Sequence, residues 1–207
     1  MFFLQEKIDE AKRRHNMTPA ETFINIGEYH LNMKFIFIGP RSIGKSTVGK
    51  ALSQKLNLEY FDFDDYVEEN LNGIDQHIRN NSVESYRIEE KKILKQFVSE
   101  LPKKFVVSVG GGTVASQFKE ISQRNIDVLK KIGKIIYLSP SENKKEATEI
   151  LYEREQKRKG DKDYSETLIL FELRKPVYEK VFDLKFEVKN KSSSEIVEDI
   201  LRKVSTE

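Results

Sequence analysis

The chain has 207 residues, the size of one compact domain with room for an appendage. Apolar residues make up 38% and charged residues 34%, too hydrophobic for a wholly disordered chain and too charged for a membrane protein. The balance of 36 Lys and Arg against 34 Asp and Glu leaves +2, against a polycation that wraps nucleic acid, and the absence of Cys excludes disulfides, thiolate metal sites and cysteine nucleophiles.

The three histidines, His15, His30 and His77, are too scattered for a histidine metal site. Any chemistry therefore comes from carboxylates, basic side chains and the backbone. No run reaches the roughly 18 apolar residues of a membrane span, so a membrane is not an expected partner, and with a net charge of only +2 neither is a nucleic acid. A cysteine-free chain suits a reducing cytoplasm, the expected compartment, and a monomer is the expected state.

Residues 1–32 are expected to form a helical N-terminal extension. Phe3, Leu4, Ile8 and Ala11 recur at helical spacing, and Thr18-Pro19-Ala20-Glu21 has the form of a capped helix start. Residues 33–207 form the second predicted unit. KFIFIG (34–39) reads as a strand ending in a glycine turn, followed by an amphipathic helix from Lys45 to Leu56. NLEYFDF (57–63) is a second strand, and Val83 to Leu101 carries a helical apolar stripe. KKFVVSVGGG (103–112) is the strongest strand signal, dense in β-branched residues. A helix of about fifteen residues leads to KIIYLSP (134–140), followed by two more helices, the strand DLKFEV (183–188) and a terminal helix. Strands alternating with helices predict an α/β fold: three layers, with a five-stranded parallel sheet and helices on both faces. Ligands of such sheets sit beyond the carboxyl ends of the strands.

The motifs fall there. Gly39-Pro40-Arg41-Ser42-Ile43-Gly44-Lys45-Ser46 matches G-x-x-x-x-G-K-[ST], Thr47 follows, and the strand before and helix after are both in place. Glycines let successive N–H groups point at phosphate oxygens, and the helix N-terminus adds partial positive charge. Lys45 would reach the β- and γ-phosphates, and the Ser46 hydroxyl would ligate Mg²⁺. A nucleoside triphosphate is the leading ligand.

Asp62-Phe63-Asp64 closes the second predicted strand, where alternate side chains share a face, so both carboxylates are expected to look into the same crevice. One can help hold hydrated Mg²⁺ and the other can accept hydrogen bonds from a hydroxylated substrate. The competing reading is an acidic turn capping the next helix, which is favoured for Asp65. Gly110-Gly111-Gly112 with Ala115 also fits G-x-G-x-x-[GA], but the next strand ends in Tyr137-Leu138-Ser139 without the acid that a dinucleotide fold needs. Bare backbone closely approaching a ligand is the better account, with a structural glycine turn as the alternative.

The phosphate loop, Asp62-x-Asp64, Gly110-Gly111-Gly112 and Arg174-x-Pro176-x-Tyr178, in this order and spacing, resemble shikimate kinase. Phe61 to Glu68 and Tyr86-Arg87-Ile88-Glu89-Glu90 add to the likeness, which covers residues 33–204. The resemblance implies a small P-loop kinase that uses MgATP to phosphorylate the 3-hydroxyl of shikimate. It puts Asp62 on the magnesium side through water and Asp64 on the substrate hydroxyls, as a candidate base. Arg87 and Arg174 would grip the carboxylate, Gly110, Gly111 and Gly112 would close the pocket, and Glu90 would orient Arg87. Taken singly, each arginine reads as a surface or helix-pair residue; their joint fit to the pattern gives them the role. The chain departs from the family at Ser82-Val83, where Gly-Glu is usual, and in the lid (about 153–166). There Glu153-Arg154-Glu155-Gln156-Lys157-Arg158-Lys159-Gly160-Asp161 replaces R-P-L-L. A mobile solvated loop is the plain reading of that run; Arg154 or Arg158 would supply the lid charge. The alternatives are another P-loop small-molecule kinase acting on a sugar acid or a nucleotide, and a non-catalytic nucleotide-binding regulatory protein.

Overall fold

The computed structural model describes residues 33–158 and 163–205, so the helices expected within 1–32 and the centre of the expected lid lie outside the described residues. Five parallel strands, β1 (Lys34–Ile38), β2 (Glu59–Asp62), β3 (Phe105–Ser108), β4 (Lys134–Ser139) and β5 (Leu184–Glu187), stand in the order β2-β3-β1-β4-β5. Each predicted strand is present. The central strands are buried on both faces, which explains their continuous apolar runs: Phe35, Ile36, Phe37 and Ile38 are buried in β1, as are Val106 and Val107 in β3.

The helices are α1 (Lys45–Leu56), α2 (Phe63–Leu71), α3 (Ile74–Asn80), α4 (Val83–Glu100), α5 (Gly111–Val114, a single turn), α6 (Lys119–Ile132), α7 (Lys144–Arg158), α8 (Tyr164–Val181) and α9 (Ser193–Val204). One face of the sheet gives Ile36, Ile38, Val107, Ile135 and Tyr137 to a core completed by Phe63 and Val67 of α2, Leu94 and Phe97 of α4, and Leu129 of α6. Phe97 gathers Phe63 and Tyr66 at ring-centroid distances of 5.2 and 5.0 Å. Burying one such aromatic or aliphatic side chain contributes roughly 1.5–3 kcal/mol. Helices α1 and α9 pack together and bury Val48, Leu52, Ile196, Val197 and Ile200. Among the described residues no helix is long and apolar enough to cross a membrane.

The chain runs from β1 outward to β2, returns to β3 beside β1, then crosses to β4 on the other side of β1. That reversal opens a crevice at the carboxyl end of β1, the ligand position of open α/β sheets. The loops after β1, β2 and β3 all reach it.

The second strand differs from expectation. It ends at Asp62, and Phe63 and Asp64 already belong to α2. Asp62 is the N-cap: its Oδ1 accepts the Asp64 N–H at 3.1 Å, so the acidic-cap reading holds for Asp62 itself. The two carboxylates converge through a strand-to-helix turn, not through strand alternation. β3 lies between β1 and β2, with Asp62 in register with Ser108.

Candidate active site

The loop after β1 takes backbone conformations that few residues accept. Gly39, Ser42 and Gly44 have φ of 143°, 60° and 105°, and a Cβ on Gly39 would also lie 2.6 Å from the Leu138 carbonyl oxygen. Alternating conformations of this kind turn successive N–H groups inward to form an anion cradle. The N-terminus of α1 is left open to such an anion: Gly44 offers no side-chain cap, and the first turn contains no acidic residue. Lys45 Nζ donates to the Gly39 and Pro40 carbonyls at 3.2 and 2.9 Å, folding over the loop that precedes it. Burial lowers its pKa from 10.5 to about 8, although Asp64 and Asp62 pull upward; the charges of Arg174 and Arg158 lower it further. Phosphate charge would favour the ammonium form further.

Asp62 sits beside the start of α1. Its Oδ2 accepts hydrogen bonds from Ser46 Oγ at 2.8 Å, Tyr60 Oη at 2.9 Å and Ser108 Oγ at 3.0 Å, and Tyr60 and Ser108 also bond each other. Burial holds the Tyr60 phenol well above its usual pKa, so it stays a donor to the carboxylate. The Ser46 hydroxyl and Asp62 carboxylate together make an oxygen pair of the kind Mg²⁺ prefers.

The three glycines owe their identity to space rather than dihedral angle, since none has positive φ. A Cβ on Gly110 would lie 2.3 Å from Asp64 Oδ1. One on Gly111 would meet Tyr178 Oη at 2.7 Å and Arg174 Nη1 at 3.2 Å, and one on Gly112 would meet Arg87 Nη2 at 2.0 Å. A carboxylate and two guanidinium groups thus close on one backbone turn, α5, beside the phosphate loop. Tyr178 Oη fixes that turn by donating to the Gly111 carbonyl at 3.1 Å. Burial raises the Asp64 pKa, Lys45 opposes the rise, and Asp62 adds to it.

Arg87 is held in place from behind. Its Nη1 donates to both oxygens of the buried Glu90 at 2.8 and 2.7 Å, and its guanidinium carbon lies 4.7 Å from the Tyr86 ring centroid. Glu90 Oε1 also accepts Thr113 Oγ1 at 2.9 Å and Tyr86 Oη at 3.2 Å, and Asn125 Nδ2 supports the turn by donating to the Thr113 carbonyl at 2.9 Å. Arg87 Nε is buried without a hydrogen-bond partner in the protein.

Residues 153–158 of the expected lid are helical, the last turns of α7, where the charge run had suggested a mobile loop. Arg154 donates from Nη1 to the Ile43 carbonyl. Glu155 pairs with Arg41 at 2.8 Å and accepts the Ser42 hydroxyl. Arg158 is exposed near the end of α7, and its charge acts on Lys45 and Asp65. Thr47, in the first turn of α1, is exposed.

Sequence reasoning passed over Tyr60, Ser108, Thr113 and Glu155. Glu155 did carry a signal: Ala147, Leu151 and Glu155 recur every four residues and form the buried stripe of α7, with a carboxylate as the last member. The strand serine and tyrosine carry none, because their partner is set by β2–β3 register.

A shikimate kinase family profile matches residues 41–205. The curated shikimate kinase of Dictyoglomus turgidum is 31% identical over 170 residues, covering 81% of this chain and 95% of that protein. A stretch of 89 residues is 35% identical to the pentafunctional AROM polypeptide of Schizosaccharomyces pombe, of which it spans 6%. Among solved structures, shikimate kinase from Acinetobacter baumannii in complex with shikimate aligns with a TM-score of 0.72 at 22% identity, covering 87% of this chain and 97% of that one, a likeness of fold.

Proposed function

The chain belongs to the shikimate kinase family, and from that premise we propose that it transfers the γ-phosphoryl group of ATP to the 3-hydroxyl of shikimate, giving shikimate 3-phosphate and ADP. It is a phosphotransferase with an alcohol acceptor. The observation that carries the assignment of the site is the closure of Asp64, Arg174 and Arg87 on Gly110, Gly111 and Gly112, next to Lys45. One carboxylate acceptor and two guanidinium groups match a substrate with hydroxyls at one end and a carboxylate at the other.

In this reading the loop residues Gly39 to Thr47 receive the triphosphate. Their N–H groups and Lys45 neutralise charge that develops on the transferred group, a role in which positioning outweighs proton chemistry. The bond from the γ-phosphorus to the β,γ-bridging oxygen breaks as a bond to the substrate oxygen forms. Asp64 accepts the hydrogen bond of that hydroxyl and, with its pKa raised by burial, is placed to take the proton. Arg87 and Arg174 grip the carboxylate. Mg²⁺ would be held by Ser46 and, through water, by Asp62, whose oxygens already lie 2.8 Å apart. Bound there, it supplies charge neutralisation to the phosphate oxygens. Arg154 or Arg158 adds the lid's positive charge. The proposed working state is a cytoplasmic monomer with shikimate and nucleotide as its ligands.

The test is coupled ADP release by the full chain with MgATP. Shikimate, gluconate, a nucleoside monophosphate or no acceptor is added, and the product is identified by mass spectrometry. Stimulation by shikimate with formation of its 3-phosphate is expected. Stimulation by a different acceptor instead would make it another small-molecule kinase, and none at all a nucleotide-binding protein without this activity.

A further inference from the structure

Glu155 is a buried carboxylate that the proposed chemistry does not use; 3% of it is exposed. It reaches the phosphate loop from α7, pairing with Arg41 Nη2 at 2.8 Å and accepting the hydroxyl of Ser42. Its neighbour Arg154 donates to the Ile43 carbonyl, so two adjacent residues of α7 hold three consecutive residues of the loop. Ser42 is the residue in need of support. Its φ of 60° is left-handed, where a Cβ is disfavoured, and the other non-glycine residues with positive φ among those described are all asparagines, Asn57, Asn72 and Asn190. The direction of the loop N–H groups depends on that conformation, because an anion cradle is built from alternating left- and right-handed residues. The carboxylate does not oppose an incoming phosphate as a bare charge would, since Arg41 neutralises it.

We propose that Glu155 is a positioning residue for the nucleotide: through Ser42 and Arg41 it holds the phosphate loop in its phosphate-receiving shape. The inference rests on the loop's binding of nucleotide in the proposed function, and not on which acceptor is phosphorylated.

The experiment is calorimetric titration of the full chain with a non-hydrolysable MgATP analogue, without acceptor, in a double-mutant cycle of Glu155→Ala and Ser42→Gly. Glycine adopts the left-handed conformation without help, so it removes the need for Glu155. Glu155→Ala is expected to raise the dissociation constant about tenfold beside Ser42 and less than about twofold beside Gly at that position. Glu155→Gln keeps an acceptor for Ser42 and is expected to lose less than Glu155→Ala; it serves in the same cycle should the alanine variant not give a cooperative melt. Equal losses in both backgrounds, or tighter binding on removal of Glu155, would overturn the proposal. Wild-type protein that binds the analogue yet leaves shikimate unphosphorylated would count against the proposed reaction alone, while the cycle would still decide the role of Glu155.

Discussion

Gly112 and Arg87 occupy adjoining space so tightly that a Cβ on the glycine would come within 2.0 Å of Arg87 Nη2. The guanidinium cannot retreat freely, because Glu90 grips its Nη1 in a fork and the Tyr86 ring lies over it. Gly112→Ala therefore displaces the arginine from its place against the turn without straining the backbone, whose φ is not positive there. On the proposed reading, KM for shikimate rises about tenfold or more while KM for ATP changes much less. Steady-state kinetics with each substrate varied in turn checks the split; an equal rise in both would dissociate Arg87 from the acid.

The Asp64 carboxyl gives a pH signature. Burial lifts its pKa above the ordinary 3.8, against the pull of Lys45 and with the push of Asp62. As pH falls, the raised carboxyl takes up a proton and, on the proposed reading, can no longer accept one from the substrate hydroxyl. The acid limb of kcat/KM is thus expected above the ordinary aspartate range, and Asp64→Asn removes that limb along with about a hundredfold or more of activity. Profiles of the two proteins over about pH 4.5 to 8 decide it; an asparagine variant that keeps the same limb would assign it to another group.

The geometry of the site was legible in the sequence to different depths. The shape of the loop after β1 was fully so, since Gly39, Gly44 and Lys45 set it through local backbone geometry that a contiguous motif encodes. The five-strand order of elements followed from apolar runs, because buried parallel strands leave an unbroken trace. The Asp62–Asp64 turn was half legible: two overlapping signals, a β-rich run and a helix cap, compete over the same residues, and the cap wins at Asp62. The reason for three glycines lay beyond local pattern, since each makes room for a side chain from a different helix. Glu155 was hidden by a run of charge in which only its four-residue spacing from Leu151 marks the buried face.

Lys45 sets stability against function. Its pKa of about 8 in the folded protein, against 10.5 as the ordinary value, means that burying the charged amine costs roughly 3 kcal/mol well below pH 8. Lys45→Met removes that cost and loses two hydrogen bonds to the Gly39 and Pro40 carbonyls, an offset of about 1–2 kcal/mol. The nucleotide-free variant is expected to melt about 3 °C higher than the wild type at neutral pH while losing turnover. The sign reverses with alkali. The folded wild type is neutral at Lys45 above about pH 8 while the unfolded chain stays charged toward 10.5, so wild-type stability catches up across that window. Melting curves at about pH 7 and pH 10 test it; an advantage that does not shrink would mean that the lysine is not desolvated.

Arg154 and Arg158 stand one helical turn apart on α7 and meet different surroundings. Arg154 is engaged with the phosphate loop: Nη1 donates to the Ile43 carbonyl and lies 3.6 Å from where a Cβ on Gly44 would be. Burial lowers its pKa, as expected of a guanidinium drawn in from solvent. Arg158 is exposed, and its positive charge is felt at Lys45 and Asp65, the residues that flank the phosphate site on the proposed reading. A group that holds the loop acts equally before and during transfer, whereas a solvated charge that approaches the γ-phosphoryl group acts in the transition state. Arg154→Ala is therefore expected to raise KM for ATP about tenfold with a small change in kcat, and Arg158→Ala to lower kcat about tenfold or more with KM for ATP nearly constant. Arg158→Lys keeps the charge and should recover part of that kcat. Measuring both constants for the three variants separates the roles, and the opposite pattern would exchange them.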